Sequence, residues 1–184
     1  MTLATFNKRS RAQVVRALAR TEFDLLIIGG GISGASIFRD ASLRGMKVAL
    51  IEARDFASGT SSRSSKLVHG GLRYLKTLGL RLARESCKER NLHIRLNKRL
   101  VRPIPFLVPI YTGKGASKFM LRIGMLLYEA LSGFQNFKFH RFLSREDTLT
   151  LAPGIPSEGL EGGVEYYDAE VSDNRWTMEI IKDG

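Results

Sequence analysis

The chain has 184 residues and a formal net charge of +11, from 29 lysines and arginines against 18 aspartates and glutamates. Its single cysteine, Cys87, excludes internal disulfides and thiolate metal clusters, and no apolar stretch is long enough to span a bilayer. The positive charge is local, because residues 63–102 hold twelve lysines and arginines against Glu85 and Glu89. Such a segment attracts an anionic substrate, an anionic lipid surface or nucleic acid, but a solvated helix face explains many of these arginines equally well.

Residues 1–21 carry five basic side chains and no acidic one. This composition is typical of a transit peptide or of a basic helix. Residues 11–21 place apolar side chains on one side of a helix and lead into the next segment without a cleavage-like region. We therefore predict a basic N-terminal helix in residues 1–21 that belongs to the mature protein, with a transit peptide as the alternative.

The run from residue 25 has the order strand, glycine turn, helix. Residues 25–28 are apolar without alternation, which predicts a strand buried on both faces of a parallel sheet. Gly29, Gly31 and Gly34 follow at G-x-G-x-x-G spacing, with Ser33 among them, and a helix then continues to Gly45. The free N–H groups and positive dipole end of such a helix suit a phosphate group.

A second predicted strand, residues 48–51, ends in Glu52, which lies 18 residues after Gly34. A carboxylate at this distance accepts hydrogen bonds from the ribose hydroxyls of a dinucleotide and disfavours a 2′-phosphate. Strand, glycines, helix, strand and acid in this order predict an α/β fold with a Rossmann-like βαβ unit. A plain βαβ unit with a glycine turn is the alternative.

Residues 53–74 read ARDFASGTSSRSSKLVHGGLRY and are almost free of apolar side chains before Leu67. Several serine and threonine hydroxyls offer hydrogen-bond donors, and Gly70 and Gly71 remove side chains where a flat ring could lie against the backbone. This composition is unusual for a simple connection between a strand and a helix. The segment therefore predicts a site for a polar ligand.

Three motifs carry a resemblance to a known family: GGGISGA at residues 29–35, EARDFASGTSSRSSKL at 52–67 and HGGLRY at 69–74. Together they resemble the FAD-dependent, quinone-linked glycerol-3-phosphate dehydrogenases. The resemblance covers nearly the whole chain and implies oxidation of glycerol 3-phosphate to dihydroxyacetone phosphate, with quinone as electron acceptor. The cofactor-binding residues that we assign are Gly29, Gly31, Ser33, Gly34, Glu52, Thr60, Ser61, Ser62, Ser64, His69, Gly70 and Gly71.

The same resemblance implies a division of the chain. A Rossmann-like FAD-binding segment is expected at residues 22–102, followed at 103–184 by the start of a substrate or cap region that also associates with a membrane. Because the family is several hundred residues long, the chain is expected to be an N-terminal portion, with further substrate residues beyond residue 184. No catalytic base and no metal ligand are assigned.

Arg73 and Tyr74 are the predicted substrate-binding residues, because they come shortly after the glycine pair that suits a flavin ring. A guanidinium is a forked, permanently charged donor for phosphate oxygens, and a tyrosine adds a hydroxyl. The alternative for Arg73 is an ion pair with a structural carboxylate. His69 is expected to help place the flavin.

The later elements are predicted from apolar spacing. Residues 78–97 form a helix with Cys87 in the core, Pro103 and Pro105 interrupt it, and residues 106–111 form a strand. Residues 116–131 form a helix too apolar for a free surface, so it is either buried against an absent domain or lies in a membrane interface. The family resemblance favours the interface and implies a cytoplasmic protein, peripheral on an anionic membrane surface at the inner face of the cytoplasmic membrane.

Other functions stay open at this point. A related flavin oxidase or dehydrogenase of an amine or a hydroxy acid shares the motifs, and the chain alone is also consistent with an inactive FAD-binding fragment. Nucleic-acid binding is not predicted, because the sequence lacks the aromatic stacking pattern of such binders. A homodimer is compatible with the sequence.

Overall fold

The computed structural model describes residues 11–184, which form two compact units. The first unit combines the chain up to Lys66 with Ser172–Gly184, and the second unit is Leu67–Val171. The sequence analysis expects a boundary at residue 102 instead. That residue lies inside a long strand, so the second unit begins earlier than expected and ends before the last helix.

The described chain contains helices and strands of different lengths and two 3₁₀ turns. In chain order they are α1 (Arg11–Arg20), β1 (Leu25–Ile28), α2 (Ile32–Leu43), β2 (Val48–Ile51), β3 (Leu67–Val68), α3 (Leu80–Leu96), β4 (Val101–Tyr111), α4 (Lys118–Leu131), β5 (Arg141–Leu143), α5 (Arg145–Leu151), β6 (Leu160–Val171) and α6 (Asp173–Asp183). Two 3₁₀ turns, Thr60–Ser62 and Leu72–Thr77, flank β3. The helix expected in residues 1–21 is present at Arg11–Arg20, and the remainder of that prediction lies outside the described residues.

The first unit contains the predicted βαβ arrangement. Strands β1 and β2 pair in parallel from Leu25 opposite Val48 to Ile28 opposite Ile51, and α2 connects them. Helix α2 ends as expected before Gly45, whose φ of +83° is a left-handed conformation that glycine adopts without strain. The α/β class is therefore confirmed.

Strand β1 is less buried than its apolar sequence predicts. Ile27 is buried, but Leu26 is 55% exposed and Ile28 is 81% exposed. The faces of a strand are buried by helices or another sheet packed on them, and not by the neighbouring strand. In residues 11–184 only the face that carries Ile27 is covered, so the expectation of burial on both faces is wrong for this chain.

The second unit is built on an antiparallel sheet with β6 at its centre. Strand β4 pairs with β6 along its whole length, while β3 and β5 pair with separate parts of β6. Helices α3 and α4 contribute Cys87, Met125 and Tyr128 to a core that also contains Ile110 and Val164. The prediction that Cys87 is a core residue is confirmed.

Strand β4 is longer than the sequence predicts. It begins at Val101 and includes Pro103 and Pro105, which are expected to precede the strand. An edge strand tolerates prolines whose missing N–H groups face away from its neighbour, and β6 is the only neighbour of β4 in the described part of the chain. Strand β6 continues to Val171 and includes Asp168.

Helix α4 occupies the predicted apolar segment and presents two different faces. Met125 and Tyr128 are buried, whereas Phe119, Met120 and Ile123 are 72%, 64% and 53% exposed. Within residues 11–184, no helix combines the length and the hydropathy that crossing a bilayer requires.

Candidate functional site

The glycine turn between β1 and α2 depends on the absence of side chains. Gly29 has a φ of +109°, and its N–H donates to the carbonyl of Ile51 at the end of β2. A Cβ atom on Gly34 would lie 2.0 Å from the carbonyl oxygen of Gly29, so α2 packs against the turn only because residue 34 is glycine. This is the role expected of the third glycine in the motif.

The N-terminus of α2 is open to an anion. Gly31 is the N-cap residue and has no side chain of its own to cap the helix, and the first turn contains no acidic residue. Ser33 lies exposed in this turn. The N–H of Ile32 donates to the hydroxyl of Ser61 at 2.8 Å, which joins the serine-rich segment to the start of the helix. The other N–H groups at this end of α2 and the positive end of the helix dipole favour the binding of a negatively charged group.

Glu52 connects the end of β2 to the glycine turn. Its carboxylate accepts hydrogen bonds from the N–H of Gly30 at 2.7 Å and from the N–H of Arg54 at 2.9 Å. These bonds, the one from Gly30 first, lower the pKa of Glu52 from its ordinary value and keep the side chain ionised. A carboxylate offers about four lone-pair positions, so two remain for hydroxyl donors.

The serine-rich segment after β2 is held by its own hydroxyls. Ser62 donates to the carbonyl of Gly59, and Ser64 donates to the carboxylate of Asp173 at 2.7 Å. Thr60 begins the 3₁₀ turn and is exposed. Gly29, Gly31, Gly34, Glu52 and Ser61 therefore come together around one turn of the first unit, with the other hydroxyls shaping the loop beside it.

The segment His69–Tyr74 belongs to the second unit and is fixed at Gly70. The N–H of Gly70 donates to Asp168 Oδ1 at 2.8 Å, and its carbonyl accepts from the thiol of Cys87 at 3.1 Å. Burial raises the pKa of the Cys87 thiol, so the sulfur keeps the proton that it donates. A Cβ on Gly70 would lie 2.0 Å from the hydroxyl of Tyr128, so residue 70 has room for glycine alone.

The side chains that follow Gly70 form a small cluster. Gly71 has a φ of +75° and starts the 3₁₀ turn that carries Arg73 and Tyr74. The guanidinium of Arg73 lies 5.2 Å from the centre of the Tyr74 ring, and the rings of His69 and Tyr74 meet edge to face at 6.1 Å. The Nδ1 atom of His69 is buried without a hydrogen-bond partner in the described structure.

Arg73 is exposed, and no carboxylate of residues 11–184 lies within ion-pair distance of it. The alternative reading, an ion pair with a structural carboxylate, therefore finds no support in the described part of the chain. A permanently charged guanidinium without a protein partner is suited to bind an anionic ligand.

The sequence analysis missed the residues that hold Gly70. Arg90 was counted among the arginines of a solvated helix face, but it is 1% exposed and forms an ion pair with Asp168 at 2.6 Å. Asp168 was given no chemical role, although it is 3% exposed. One signal was present in the sequence: Arg90 lies three residues after Cys87, on the same face of α3 as the core.

A family model described as FAD dependent oxidoreductase matches residues 24–182. The chain belongs to this family of FAD-dependent oxidoreductases. The match covers the βαβ unit, the serine-rich segment and the His69–Tyr74 segment, and it confirms FAD as the cofactor and the Rossmann-like fold class.

Relatives within the family agree with the resemblance carried by the three motifs. The chain is 44% identical over 182 residues to an aerobic glycerol-3-phosphate dehydrogenase of Staphylococcus aureus (strain USA300). The match covers 99% of this chain and 32% of that protein. The chain thus spans about a third of the length of the curated relatives it matches. The predicted family resemblance is confirmed.

Solved structures give the same result. The glycerol-3-phosphate dehydrogenase from Bacillus halodurans, complexed with FAD, superposes with a TM-score of 0.64 and 30% identity, over 94% of this chain and 26% of that one. The L-α-glycerophosphate oxidase from Mycoplasma pneumoniae with FAD bound has a TM-score of 0.60 and 19% identity, over 88% of this chain and 42% of that one. The second likeness shows the fold alone.

The residues of the first unit fit FAD. A Cβ on Gly31 would approach the Ser61 hydroxyl to 3.0 Å, so the backbone at the start of α2 is kept free of side chains, as close approach of a pyrophosphate requires. Glu52 is ionised and keeps acceptor capacity for ribose hydroxyls. The individual roles of the twelve assigned cofactor residues, and of Arg73 and Tyr74, stay predictions.

Proposed function

We propose that this chain is the FAD-binding portion of an enzyme that oxidises sn-glycerol 3-phosphate to dihydroxyacetone phosphate and passes the electrons to quinone. The observation that carries the proposal is Arg73, an exposed guanidinium without a carboxylate partner in the described structure, beside Tyr74 in the 3₁₀ turn that Gly71 starts. The names of the relatives, which are glycerol-3-phosphate dehydrogenases, support the same substrate.

The chain's own residues would supply binding and orientation. Gly29, Gly31, Ser33 and Gly34 would leave the pyrophosphate against the backbone and the N-terminus of α2, and Glu52 would accept hydrogen bonds from the ribose. Gly70 and Gly71 would present backbone, without side chains, to the flavin ring. These contacts fix the cofactor and do not themselves perform the oxidation.

Arg73 and Tyr74 would hold the phosphate end of the substrate. Arg73 offers a fork of donors to two phosphate oxygens, and the Tyr74 ring supports the guanidinium by a cation–π contact. Holding the phosphate fixes the distance of C2 from the cofactor, which is how binding energy lowers the barrier of a reaction between oriented partners. Bound FAD would supply the redox chemistry of the oxidation at C2.

The full gene product that carries this chain tests the function. Purified protein is mixed with sn-glycerol 3-phosphate under anaerobic conditions while the flavin absorbance is recorded. We expect bleaching of the oxidised flavin band and formation of one dihydroxyacetone phosphate per flavin. Glycerol is the matched control, because it lacks only the phosphate. No bleaching with glycerol 3-phosphate, or equal bleaching with glycerol, contradicts the proposed substrate.

The exposed face of α4 supports a second part of the proposal, association with an anionic membrane surface at the cytoplasmic side. Phe119, Met120 and Ile123 are more than half exposed, and Lys118 and Arg122 lie among them on the same exposed helix. Apolar side chains flanked by cations are suited to the boundary between acyl chains and anionic headgroups. Quinone as acceptor and a homodimer are further proposals, which turnover with a soluble quinone and sedimentation of the holoenzyme would test.

A further inference from the structure

The second unit contains a buried polar cluster that the proposed reaction does not yet use. Asp168 Oδ1 accepts three hydrogen bonds, from the Gly70 N–H at 2.8 Å, from Arg90 Nη1 at 2.6 Å and from the Tyr128 hydroxyl at 3.1 Å. Asp168 is 3% exposed, and Arg90 and Tyr128 are each 1% exposed. The cluster is therefore closed to solvent.

Arg90 is satisfied on every side of its guanidinium. Besides Asp168, Nη1 donates to the Tyr128 hydroxyl at 2.7 Å and to the carbonyl of Tyr167 at 3.2 Å. Nη2 donates to Asn91 at 3.0 Å and to Asn136. Because each donor has a partner, the guanidinium cannot rotate without breaking several bonds, and it holds the Asp168 carboxylate in one orientation.

Stability alone does not explain such a cluster. A buried ion pair gains little over apolar side chains of the same volume, because desolvation of both charges offsets their attraction. The carboxylate here has a second task, since one of its three donors is the backbone of Gly70. The Cys87 thiol holds the carbonyl of the same residue, so the orientation of residue 70 is fixed at both its N–H and its carbonyl.

The orientation of Gly70 determines the direction of the residues that follow it. Gly71 turns the chain with a φ of +75°, and the N–H of Tyr74 donates back to the Gly71 carbonyl at 2.9 Å. The direction in which Arg73 and Tyr74 leave the 3₁₀ turn is thus set by the residue that Asp168 holds.

We propose that Asp168, oriented by Arg90 and Tyr128, is a positioning residue that aims Arg73 and Tyr74 at the substrate through its hydrogen bond to Gly70. The proposal rests on the proposed function for the identity of the substrate. Asp168 does not itself touch the reacting atoms. It acts through the backbone of Gly70, and its effect is on the geometry of substrate binding.

The test is Asp168→Asn in the full gene product loaded with FAD. Asparagine keeps the shape but loses the negative charge, so the ion pair with Arg90 is lost and the bonds that Oδ1 accepts from Gly70 and Arg90 become weaker. We expect a normal ratio of FAD to protein and faster hydrogen exchange at the Gly70 amide. The apparent KM for glycerol 3-phosphate should rise about tenfold or more, as small misplacements of binding groups produce.

A matched control separates positioning from loss of stability. Glu129→Gln removes another buried carboxylate of the same unit, one that accepts hydrogen bonds from the backbone and ring of His140 and does not touch residues 69–74. We expect this variant to lower the melting temperature without changing the KM. Equal changes of the KM in Asp168→Asn and Glu129→Gln overturn the proposal, and so does a folded Asp168→Asn holoenzyme with unchanged KM and unchanged exchange at Gly70.

A milder variant keeps the test decisive if Asp168→Asn does not fold. Tyr128→Phe removes one of the three donors and keeps the ring and the ion pair, so we expect the KM to rise about threefold, less than in Asp168→Asn because Arg90 still orients the carboxylate. An unchanged KM in this folded variant then overturns the proposal. If the wild-type enzyme oxidises a different substrate, the proposed function fails, and exchange at Gly70 alone decides the positioning role.

Discussion

The glycine turn of the first unit and the His69–Tyr74 segment of the second unit are both glycine-containing turns, but different parts of the chain hold them. The glycine turn is held by hydrogen bonds from residues of the same βαβ unit and its following loop. Glu52 lies 22 residues from Gly30, and Ser61 lies 29 residues from Ile32. Gly70 is fixed by Asp168, which lies 98 residues away. The first turn is thus built within one βαβ unit and its following loop, whereas the second needs the last strand of its unit.

Because of this difference, the two turns tolerate different substitutions. The first turn is shaped by backbone and by hydrogen bonds to Glu52 and Ser61, so its weak point is steric: a Cβ on Gly34 would meet the backbone of Gly29, and a Cβ on Gly31 would meet Ser61. The second turn is shaped by a buried charge cluster, so its weak point is electrostatic and remote. Variants in the two regions should therefore fail in different ways, with loss of cofactor in one and loss of substrate affinity in the other.

Gly34→Ala should have the largest effect. The new Cβ would lie 2.0 Å from the backbone oxygen of Gly29, and the helix must move away from the turn. We expect the free energy of unfolding to fall by about 1–3 kcal/mol, the usual cost of overpacking, and the purified protein to contain no stoichiometric FAD. Flavin absorbance and thermal unfolding measure both.

The control for this variant is Gly59→Ala, because a Cβ on Gly59 would meet no atom within 4 Å. FAD content should stay at the wild-type level in this control. Full flavin occupancy in Gly34→Ala would mean that close packing of α2 on the turn is not needed to hold the cofactor.

Glu52→Ala should weaken FAD binding without unfolding the second unit. The variant removes the acceptor that holds the Gly30 N–H and that we assign to the ribose. Because hydrogen bonds to a charged acceptor are stronger than neutral ones, we expect the dissociation constant of FAD to rise about tenfold or more. Flavin loss on dialysis, followed by fluorescence, measures it.

Asp55→Ala is the matched control for Glu52, since Asp55 is an acid of the same loop whose carboxylate holds only the N–H of Phe56. If Glu52→Ala and Asp55→Ala retain flavin equally well, the assignment of Glu52 is wrong.

Arg73→Lys should leave the cofactor in place and weaken the binding of the substrate. Lysine keeps the charge but loses the fork, so we expect the apparent KM for glycerol 3-phosphate to rise about tenfold, as loss of one charge-assisted hydrogen bond predicts. Steady-state kinetics with a soluble electron acceptor measure the KM, and the flavin spectrum reports occupancy.

Arg84→Lys, at an exposed position of α3, serves as the control for Arg73 and should behave as wild type. Unchanged kinetics in Arg73→Lys would remove the phosphate role from this residue, whereas loss of flavin would place Arg73 with the cofactor and not with the substrate.

The double variant Phe119→Asp with Ile123→Asp should have the smallest effect on catalysis, because both side chains lie on the exposed face of α4 and the buried face carries Tyr128. We expect turnover in detergent to stay unchanged while sedimentation with anionic liposomes falls. Binding of the wild type should also weaken with salt, at about 1 kcal/mol for each cation near the surface.

Leu151→Asp is the control for the membrane variant, since Leu151 is 52% exposed at the end of α5. Liposome binding that resists both salt and the α4 variant would leave burial against another part of the full gene product as the role of the apolar face.

How far the sequence predicts the structure depends on the distance over which each contact acts. Strand β1, helix α2 and strand β2 follow from neighbouring residues, and the structure has them where the motifs place them. The same is true of Cys87, whose burial follows from the spacing of apolar residues on α3.

The residues that hold Gly70 were not predictable in the same way. Nothing near Asp168 in sequence reveals that its partner is a backbone N–H at residue 70, and an arginine within a basic helix is normally solvated. Prolines at 103 and 105 indicate a break unless the strand is known to lie at a sheet edge. The sequence thus predicts the glycine turn and its helix well and the residues that hold Gly70 poorly.

The division of the chain into units has a consequence for its synthesis. The first unit is discontinuous, because α6 returns to pack on α2, and Arg39 pairs with Asp183 at 2.5 Å. Strand β6, which pairs with β3, β4 and β5, leaves the ribosome near the end of this chain. The nascent protein must therefore keep β3, β4 and β5 unpaired until β6 emerges. Helix α2 waits longer still, since α6, which packs on it, follows β6 in the chain.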